Sequence, residues 1–224
     1  MSTIVEGMKN LLDILYNLST AVGLPYYGVA IILLTILIKT LIFPLTYKQM
    51  ASMRKTVDLQ PKIKAIQEKH KNNKEKANAA VMELYKQHNV NPLGGCLPIL
   101  VQLPIFWALY SALLNFKYDP TNPSAHLFLG FDLTIVYGFA LSYHLILPIF
   151  AAATTYLQTK LTSPNATTDP TQKTMLYIMP VFFAYISATV PAGLALYWVT
   201  MNVVSIFQQL YINSRLAKKS KEAI

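Results

Sequence analysis

Long apolar segments recur along this chain, and each is close to the length that a helix needs to cross a bilayer. Of its 224 residues, 54% are hydrophobic and only 13% are charged, whereas a soluble domain carries about 25% charged residues. A helix of about 20 apolar residues spans the hydrocarbon core. Five segments come near that length: 23–47, 92–116, 133–158, 174–190 and 191–213. The sequence therefore predicts an all-α, polytopic membrane protein with five transmembrane helices.

The segment before the first span, residues 1–22, has the pattern of an amphipathic helix. Its apolar residues recur on one helical face, and polar residues such as Glu6, Lys9 and Asp13 lie between them. We expect this helix to lie in the membrane interface. No basic stretch precedes an apolar block here, so we do not expect a cleaved signal peptide.

Basic residues concentrate in three connecting segments, 48–91, 159–173 and 214–224, and they predict the orientation. Five spans place these three segments on one side of the membrane. The positive-inside rule makes that side cytoplasmic. We therefore expect the N-terminus outside, the C-terminus inside, and residues 117–132 as an extracytoplasmic loop.

The longest polar segment, 48–91, predicts a cytoplasmic hairpin of two helices with a turn at Lys71, Asn72 and Asn73. It carries ten basic and four acidic side chains. The orientation of the chain in the membrane and the solvation of the hairpin explain part of this excess of basic over acidic side chains. The functional interpretation is a landing surface for anionic lipid, RNA or an acidic protein face.

Lys39 is the charged residue inside the first apolar segment. A lysine near the bilayer interior costs roughly 2.5–3.5 kcal/mol on insertion scales. One interpretation is a side chain that snorkels to the interface. The other, which we favour, is a charge that faces a wet cavity and marks a functional site.

Polar residues in three of the spans mark a candidate substrate-binding groove. Its six members are Lys39, Thr35, Gln102, Trp198, Asn202 and Ser205. In lipid, such groups must turn toward other helices or toward water. Asn202 and Ser205 also suit hydrogen bonds between helices, whereas Gln102 and Trp198 are reasonable walls for the cavity that Lys39 requires.

Catalysis finds little support in the sequence. His144 lies in a span without an acid or nucleophile at a useful spacing, and no nucleophile-elbow motif is present. One Cys and four His residues match no metal motif, and no glycine-rich phosphate loop occurs. We predict no catalytic residue, no metal, no cofactor and no enzymatic activity.

Four motifs occur in an order and spacing that are specific together. They are I-K-T-L-I-F-P-L at 38–45, L-Q-P at 59–61, N-P-L-G-G-C-L-P-I-L-V-Q-L-P-I-F at 91–106 and A-L-Y-W-V at 195–199. With them, the chain resembles the YidC membrane protein insertases and their mitochondrial and chloroplast relatives from about residue 3 to residue 215.

The resemblance implies a hydrophilic groove that is open to the cytoplasm and to lipid. Family members usually carry an arginine where this chain has Lys39, and Gln102 and Trp198 match positions that line the groove. The implied function is that of an insertase and chaperone in a bacterial plasma membrane. It moves short polar segments of nascent membrane proteins across the bilayer and releases their helices into lipid. The ribosome, the signal recognition particle pathway and the Sec translocon stay open as partners, and DNA is not implied.

Two other functions fit the same residues. A small anion channel or solute carrier would use Lys39 as an anion site. Membrane thinning would favour a lipid scramblase. The short fourth span predicts such thinning, because its 17 residues reach only roughly 25 Å.

Overall fold

The computed structural model describes residues 2–88, 90, 97–114, 121–139, 141–162 and 170–222. It is mostly α-helical, so the predicted all-α class is confirmed. The helices are α1 Ser2–Ala21, α2 Tyr27–Asp58, α3 Gln60–Lys69, α4 Lys74–Gln87, α5 Leu97–Leu114, α6 Ile146–Thr162, α7 Pro170–Thr189 and α8 Ala192–Glu222. A two-stranded antiparallel sheet, β1 Leu127–Phe128 and β2 Phe131–Asp132, and a 3-10 helix, Tyr143–Leu145, lie between α5 and α6.

Helix α2 carries the strongest membrane signal. Within the described part of the chain it alone is long and apolar enough to cross a bilayer, and a shorter apolar helix covers Val101–Leu114. The count of five spans stays a prediction.

The main core lies where α1, the start of α2, α5 and the start of α8 meet. Leu12, Ile31, Leu34 and Leu109 are fully buried there. The rings of Tyr16 and Tyr27 stack with their centroids 4.0 Å apart, which joins α1 to α2. This close packing of apolar side chains makes one end of the bundle dry.

Backbone hydrogen bonds attach the segment between α5 and α6 to this core. The Tyr27 N–H donates to the Ala125 carbonyl at 2.8 Å, and the Gly193 N–H donates to the Leu133 carbonyl at 3.0 Å. Leu129 and Gly130 both have positive φ angles, 50° and 83°, as a type I′ turn between β1 and β2 requires. The segment therefore covers the dry end of the bundle.

The helix within the third expected span is shorter than the apolar run. We expected a helix over 133–158, but α6 begins at Ile146. Gly138 has a positive φ of 68°, and Pro148 falls in the first turn of α6, where its missing N–H costs nothing. The run is apolar throughout, so hydropathy alone did not indicate that the helix would begin only at Ile146.

Helices α7 and α8 are longer than expected. Helix α7 has 20 residues, so it reaches about 30 Å. The residues added at its start, 170–173, include Thr, Gln and Lys, so the apolar length of the fourth span and the mismatch that it implies stay a prediction. Helix α8 continues through the expected tail to Glu222.

The polar segment after the first span divides differently from our expectation. Helix α2 continues to Asp58 before α3 begins at Gln60. Pro61 explains the break, because its ring would clash with the carbonyl four residues earlier. Helices α3 and α4 pack through Ile63 and partly buried Leu84, and the Asn73 side chain caps α4 by accepting from the Lys76 N–H at 2.9 Å.

Candidate functional site

A polar cavity of about 70 Å³ lies between α2, α5, α6 and α8, with room for a few water molecules. Its lining residues are Lys39, Ile42, Thr46, Gln49, Met50, Val101, Gln102, Gln158, Thr162, Ser205, Gln208 and Gln209. Five of these are glutamines, and amides both donate and accept hydrogen bonds. The cavity can therefore solvate polar groups inside an otherwise apolar bundle.

Helical spacing explains how α2 and α8 supply most of this lining. Lys39, Ile42, Thr46 and Gln49 follow one another at intervals of three and four residues, which places them on one face of α2. Ser205 has the same relation to Gln208 and Gln209 on α8. Each helix presents a polar stripe to the other.

Lys39 enters the cavity without an acidic neighbour. Among the described residues, no carboxylate forms an ion pair with it; the Asp132 carboxylate instead lies 3.5 Å from the His126 imidazole in the β1–β2 segment. The Gln208 side-chain amide donates to the Lys39 backbone carbonyl at 3.0 Å. The ammonium charge is thus available to a polar or acidic group that enters the cavity.

Two amide atoms of the lining are buried without a hydrogen-bond partner. They are Nε2 of Gln49 and Oε1 of Gln208. A buried polar atom without a partner costs about 1–3 kcal/mol, and such atoms are normally satisfied by ordered water or by a ligand. One is a donor and the other an acceptor, so together they suit a peptide backbone as well as water.

The candidate residues nearer the dry end make contacts between helices. The Trp198 indole N–H donates to the Thr155 hydroxyl at 3.2 Å, and the Asn202 amide donates to the hydroxyls of Thr154 and Thr155 at 3.1 and 2.8 Å. The Trp198 ring stacks on Phe183 at 3.8 Å. These contacts join α8 to α6 and α7.

The structure thus divides the six predicted residues into two groups. Lys39, Gln102 and Ser205 line the cavity. Gln102 also donates to the Tyr197 hydroxyl. Thr35 is buried and donates to the Ile31 carbonyl of its own helix at 2.6 Å, and Trp198 and Asn202 make the helix contacts described above.

Sequence reasoning missed several lining residues. Thr46, Gln49, Gln158, Thr162 and Gln208 line the cavity but were not among the candidates. A signal existed for Thr46 and Gln49, because they continue the face of Lys39 at helical spacing. That signal is weak, because both residues lie at the edge of the apolar run, where polar residues need no special explanation.

A second cavity of about 430 Å³ adjoins the first and shares Met50, Thr162 and Gln209 with it. It lies between α2, α6 and α8, and its lining reaches Arg54 and Asp58 at the end of α2. Within the described ranges, no group of three His, Cys, Asp or Glu side chains could hold a metal ion.

The fold and the cavity define a class: a helical membrane protein that encloses a polar, positively charged cavity between its helices. A family model described as 60Kd inner membrane protein matches residues 17–220. The chain belongs to this family, that of the YidC-type membrane protein insertases.

Bacterial relatives agree with this assignment. The membrane protein insertase YidC of Wolinella succinogenes is 44% identical over 197 residues, which cover 88% of this chain and 35% of that protein. The membrane protein insertase YidC of Helicobacter pylori is 42% identical over 216 residues, which cover 96% of this chain and 37% of that protein. The chain thus spans about a third of the length of the curated relatives it matches.

A solved structure has the same fold. The crystal structure of an active YidC insertase with its first transmembrane domain resolved superimposes with a TM-score of 0.69 at 28% sequence identity. The match covers 91% of this chain and 45% of that one.

Proposed function

We propose that this protein is a membrane protein insertase and chaperone of a bacterial cell membrane, and not an enzyme. The observation that carries the proposal is the polar cavity around Lys39, with the partnerless amide atoms of Gln49 and Gln208 beside it. Such a site offers a positive charge and hydrogen bonds at a depth where lipid offers neither. The relatives named membrane protein insertase support the same function.

In this mechanism, Lys39 attracts a short acidic or polar segment of a nascent membrane protein into the cavity. Gln49 and Gln208 replace part of the water that the segment loses, which lowers the cost of its entry. The substrate's apolar helix meanwhile moves into lipid beside the bundle. Its transfer from water supplies the free energy, so the mechanism needs no nucleotide.

The proposed topology has five spans, with the N-terminus outside and α1 in the outer interface. Helices α3 and α4 then lie in the cytoplasm and act as a recruiting or gating element, which their basic surface favours. The substrates are small membrane proteins with short translocated tails. The ribosome, the signal recognition particle pathway and the Sec translocon are candidate partners on the cytoplasmic side.

The charge of Lys39 provides the direct test, in proteoliposomes that hold the purified chain. With an acidic-tailed substrate, Lys39→Arg should retain insertion, whereas Lys39→Ala and Lys39→Glu should reduce it, the latter at least about tenfold, because one charge pair at 4 Å contributes about 4 kcal/mol at an effective dielectric of 20. Protease protection of the substrate tail measures insertion.

Two controls make this test specific. Lys48→Glu brings the same change of charge to an exposed residue of α2 outside the cavity lining, and it should leave insertion unchanged. A substrate with a neutral tail should be less sensitive to Lys39→Glu than the acidic one. Normal insertion of the acidic tail by Lys39→Ala would refute attraction by Lys39.

The same proteoliposomes separate the proposal from its rivals. A channel or solute carrier would pass ions or solutes without substrate, and a scramblase would exchange labelled lipid between leaflets. Either activity, combined with no insertion, would replace the proposed function.

The α3–α4 pair has a test of its own. Deletion of residues 69–76, which contain the turn at Asn73, should leave the remaining helices folded but weaken crosslinking to nascent substrate. Unchanged crosslinking would remove the recruiting role.

A further inference from the structure

The larger cavity has a different composition from the polar cavity beside it. Its volume is about 430 Å³, within the range of small-molecule sites. The lining residues are Met50, Met53, Arg54, Val57, Asp58, Leu161, Thr162, Gln209, Asn213 and Leu216. None of the six sequence-predicted site residues belongs to it.

The lining combines an apolar body with a charged rim. Five partly buried apolar side chains form the body: Met50, Met53, Val57, Leu161 and Leu216. Methionine side chains are flexible and adapt to irregular apolar ligands. Arg54 and Asp58 are exposed at the rim. A ligand that fits must therefore have an apolar part and a charged end.

The two rim charges are both available to a ligand. Arg54 and Asp58 are four residues apart on α2, about 6 Å along the helix axis. Within the described residues, no ion pair joins them. One positive and one negative group at this separation match a ligand end that carries both an anion and a cation.

The site lies just beyond the apolar part of α2. Residues 27–47 of this helix are almost all apolar, and charged residues begin with Lys48. A spanning helix leaves the hydrocarbon at this point, so the part of the lining that α2 supplies, from Met50 to Asp58, begins at the membrane surface.

The volume alone admits one turn of a substrate helix or a lipid headgroup, and the two charges of the rim favour the lipid. A helix about 10 Å across with a pitch of 5.4 Å occupies roughly 400 Å³ per turn, so the cavity would hold a single turn. A lipid headgroup with the upper part of its acyl chains fits both the volume and the arrangement of charges.

We infer that this cavity is a binding site for an amine-bearing zwitterionic phospholipid, with its phosphate on Arg54 and its ammonium on Asp58. The acyl chains lie against Met50, Met53 and Leu216. Phosphatidylethanolamine has this chemistry. Phosphatidylglycerol lacks the cation that Asp58 would bind, and the trimethylated amine of phosphatidylcholine cannot donate a hydrogen bond.

Native mass spectrometry of the full chain tests the inference. The detergent-solubilised protein is mixed with equal amounts of phosphatidylethanolamine, phosphatidylglycerol and phosphatidylcholine that carry identical acyl chains. One phosphatidylethanolamine should be retained per chain, with about tenfold preference, the effect of one hydrogen bond between charged groups.

Variants of the rim make the test specific. Arg54→Gln should lose retention, Asp58→Asn should reduce phosphatidylethanolamine to the level of phosphatidylcholine, and Asp58→Lys should favour phosphatidylglycerol. Both positions are exposed, so these variants keep the fold. Lys55→Gln removes a charge from the neighbouring exposed residue outside the lining, and it should retain the lipid like the unaltered chain.

Three results would overturn the inference. Equal retention of the three lipids would indicate a nonspecific lipid shell. A preference for phosphatidylglycerol that Asp58→Asn leaves unchanged would indicate a purely anionic site. Equally strong binding of water-soluble glycerophosphoethanolamine would show that the apolar body takes no part. Because the assay contains no substrate protein, its outcome is independent of the insertase proposal.

Discussion

The two ends of α2 have opposite environments although they belong to one continuous helix. Near its start, Ala30, Ile31 and Leu34 are fully buried among α1, α5 and α8. Beyond Thr35, the residues are exposed or half-buried up to Met50, except for Gln49. The first end is dry and close-packed, and the second borders the polar cavity.

This difference shows how a bundle can be stable and still offer a polar site. Apolar packing at the dry end holds the helices together, so the other end can keep polar groups without partners. Functional sites commonly carry such locally unfavourable features, which packing elsewhere compensates. If this division holds, substitutions should lower stability most at the dry end and least in the cavity.

The largest effect is expected from Leu34→Ala, which removes a fully buried side chain. The cavity left in the packed end should lower the free energy of unfolding by about 2–5 kcal/mol. Leu41→Ala is the matched control, because Leu41 lies on the same helix and is 71% exposed. Reversible unfolding in mixed micelles measures both, and equal losses would contradict the division.

A smaller loss is expected from Gly28→Ala at the same end. A Cβ at Gly28 would overlap the Phe128 side chain of β1, and overpacking costs about 1–3 kcal/mol. Gly7→Ala is the control, since nothing lies within 4 Å of a Cβ there, and alanine should stabilise α1 by up to about 1 kcal/mol. Thermal unfolding should shift the two variants in opposite directions.

Asn202 lies between the two environments and should have an intermediate effect. Asn202→Ala removes the hydrogen bonds to Thr154 and Thr155, and such bonds average about 0.6 kcal/mol each in a membrane protein. A double-mutant cycle with Thr155→Ala measures the coupling. A coupling energy near zero would mean that the bond between Asn202 and Thr155 does not stabilise the contact of α6 with α8.

The smallest change in stability is expected from Gln49→Leu in the cavity. The Gln49 Nε2 atom has no partner to lose, so the free energy of unfolding should stay within about 0.5 kcal/mol or rise. Insertion of a polar-tailed substrate should nevertheless fall, because the cavity loses a donor. A marked loss of stability would show that Gln49 supports the fold.

Much of the helical architecture was predictable because hydrophobic periodicity and segment length are local properties. The prediction was weakest where a boundary depended on one residue. Helix α6 begins only at Ile146, well after Gly138 with its positive φ, although the apolar run continues across this region. Helix α7 begins at Pro170, within a polar segment. Hydropathy averages over such residues, so it found the segments and misplaced their ends.

The sequence by itself determined that Lys39 lies in an apolar helix and that Trp198, Asn202, Ser205 and Gln209 share one face of α8. These follow from composition and from the period of 3.6 residues. Only the tertiary structure decided that Ser205 and Gln209 line the cavity while Trp198 and Asn202 bind other helices. About 16 Å of helix separates Trp198 from Gln209, and the depth at which neighbouring helices move apart depends on packing between distant segments, which periodicity within one helix does not encode.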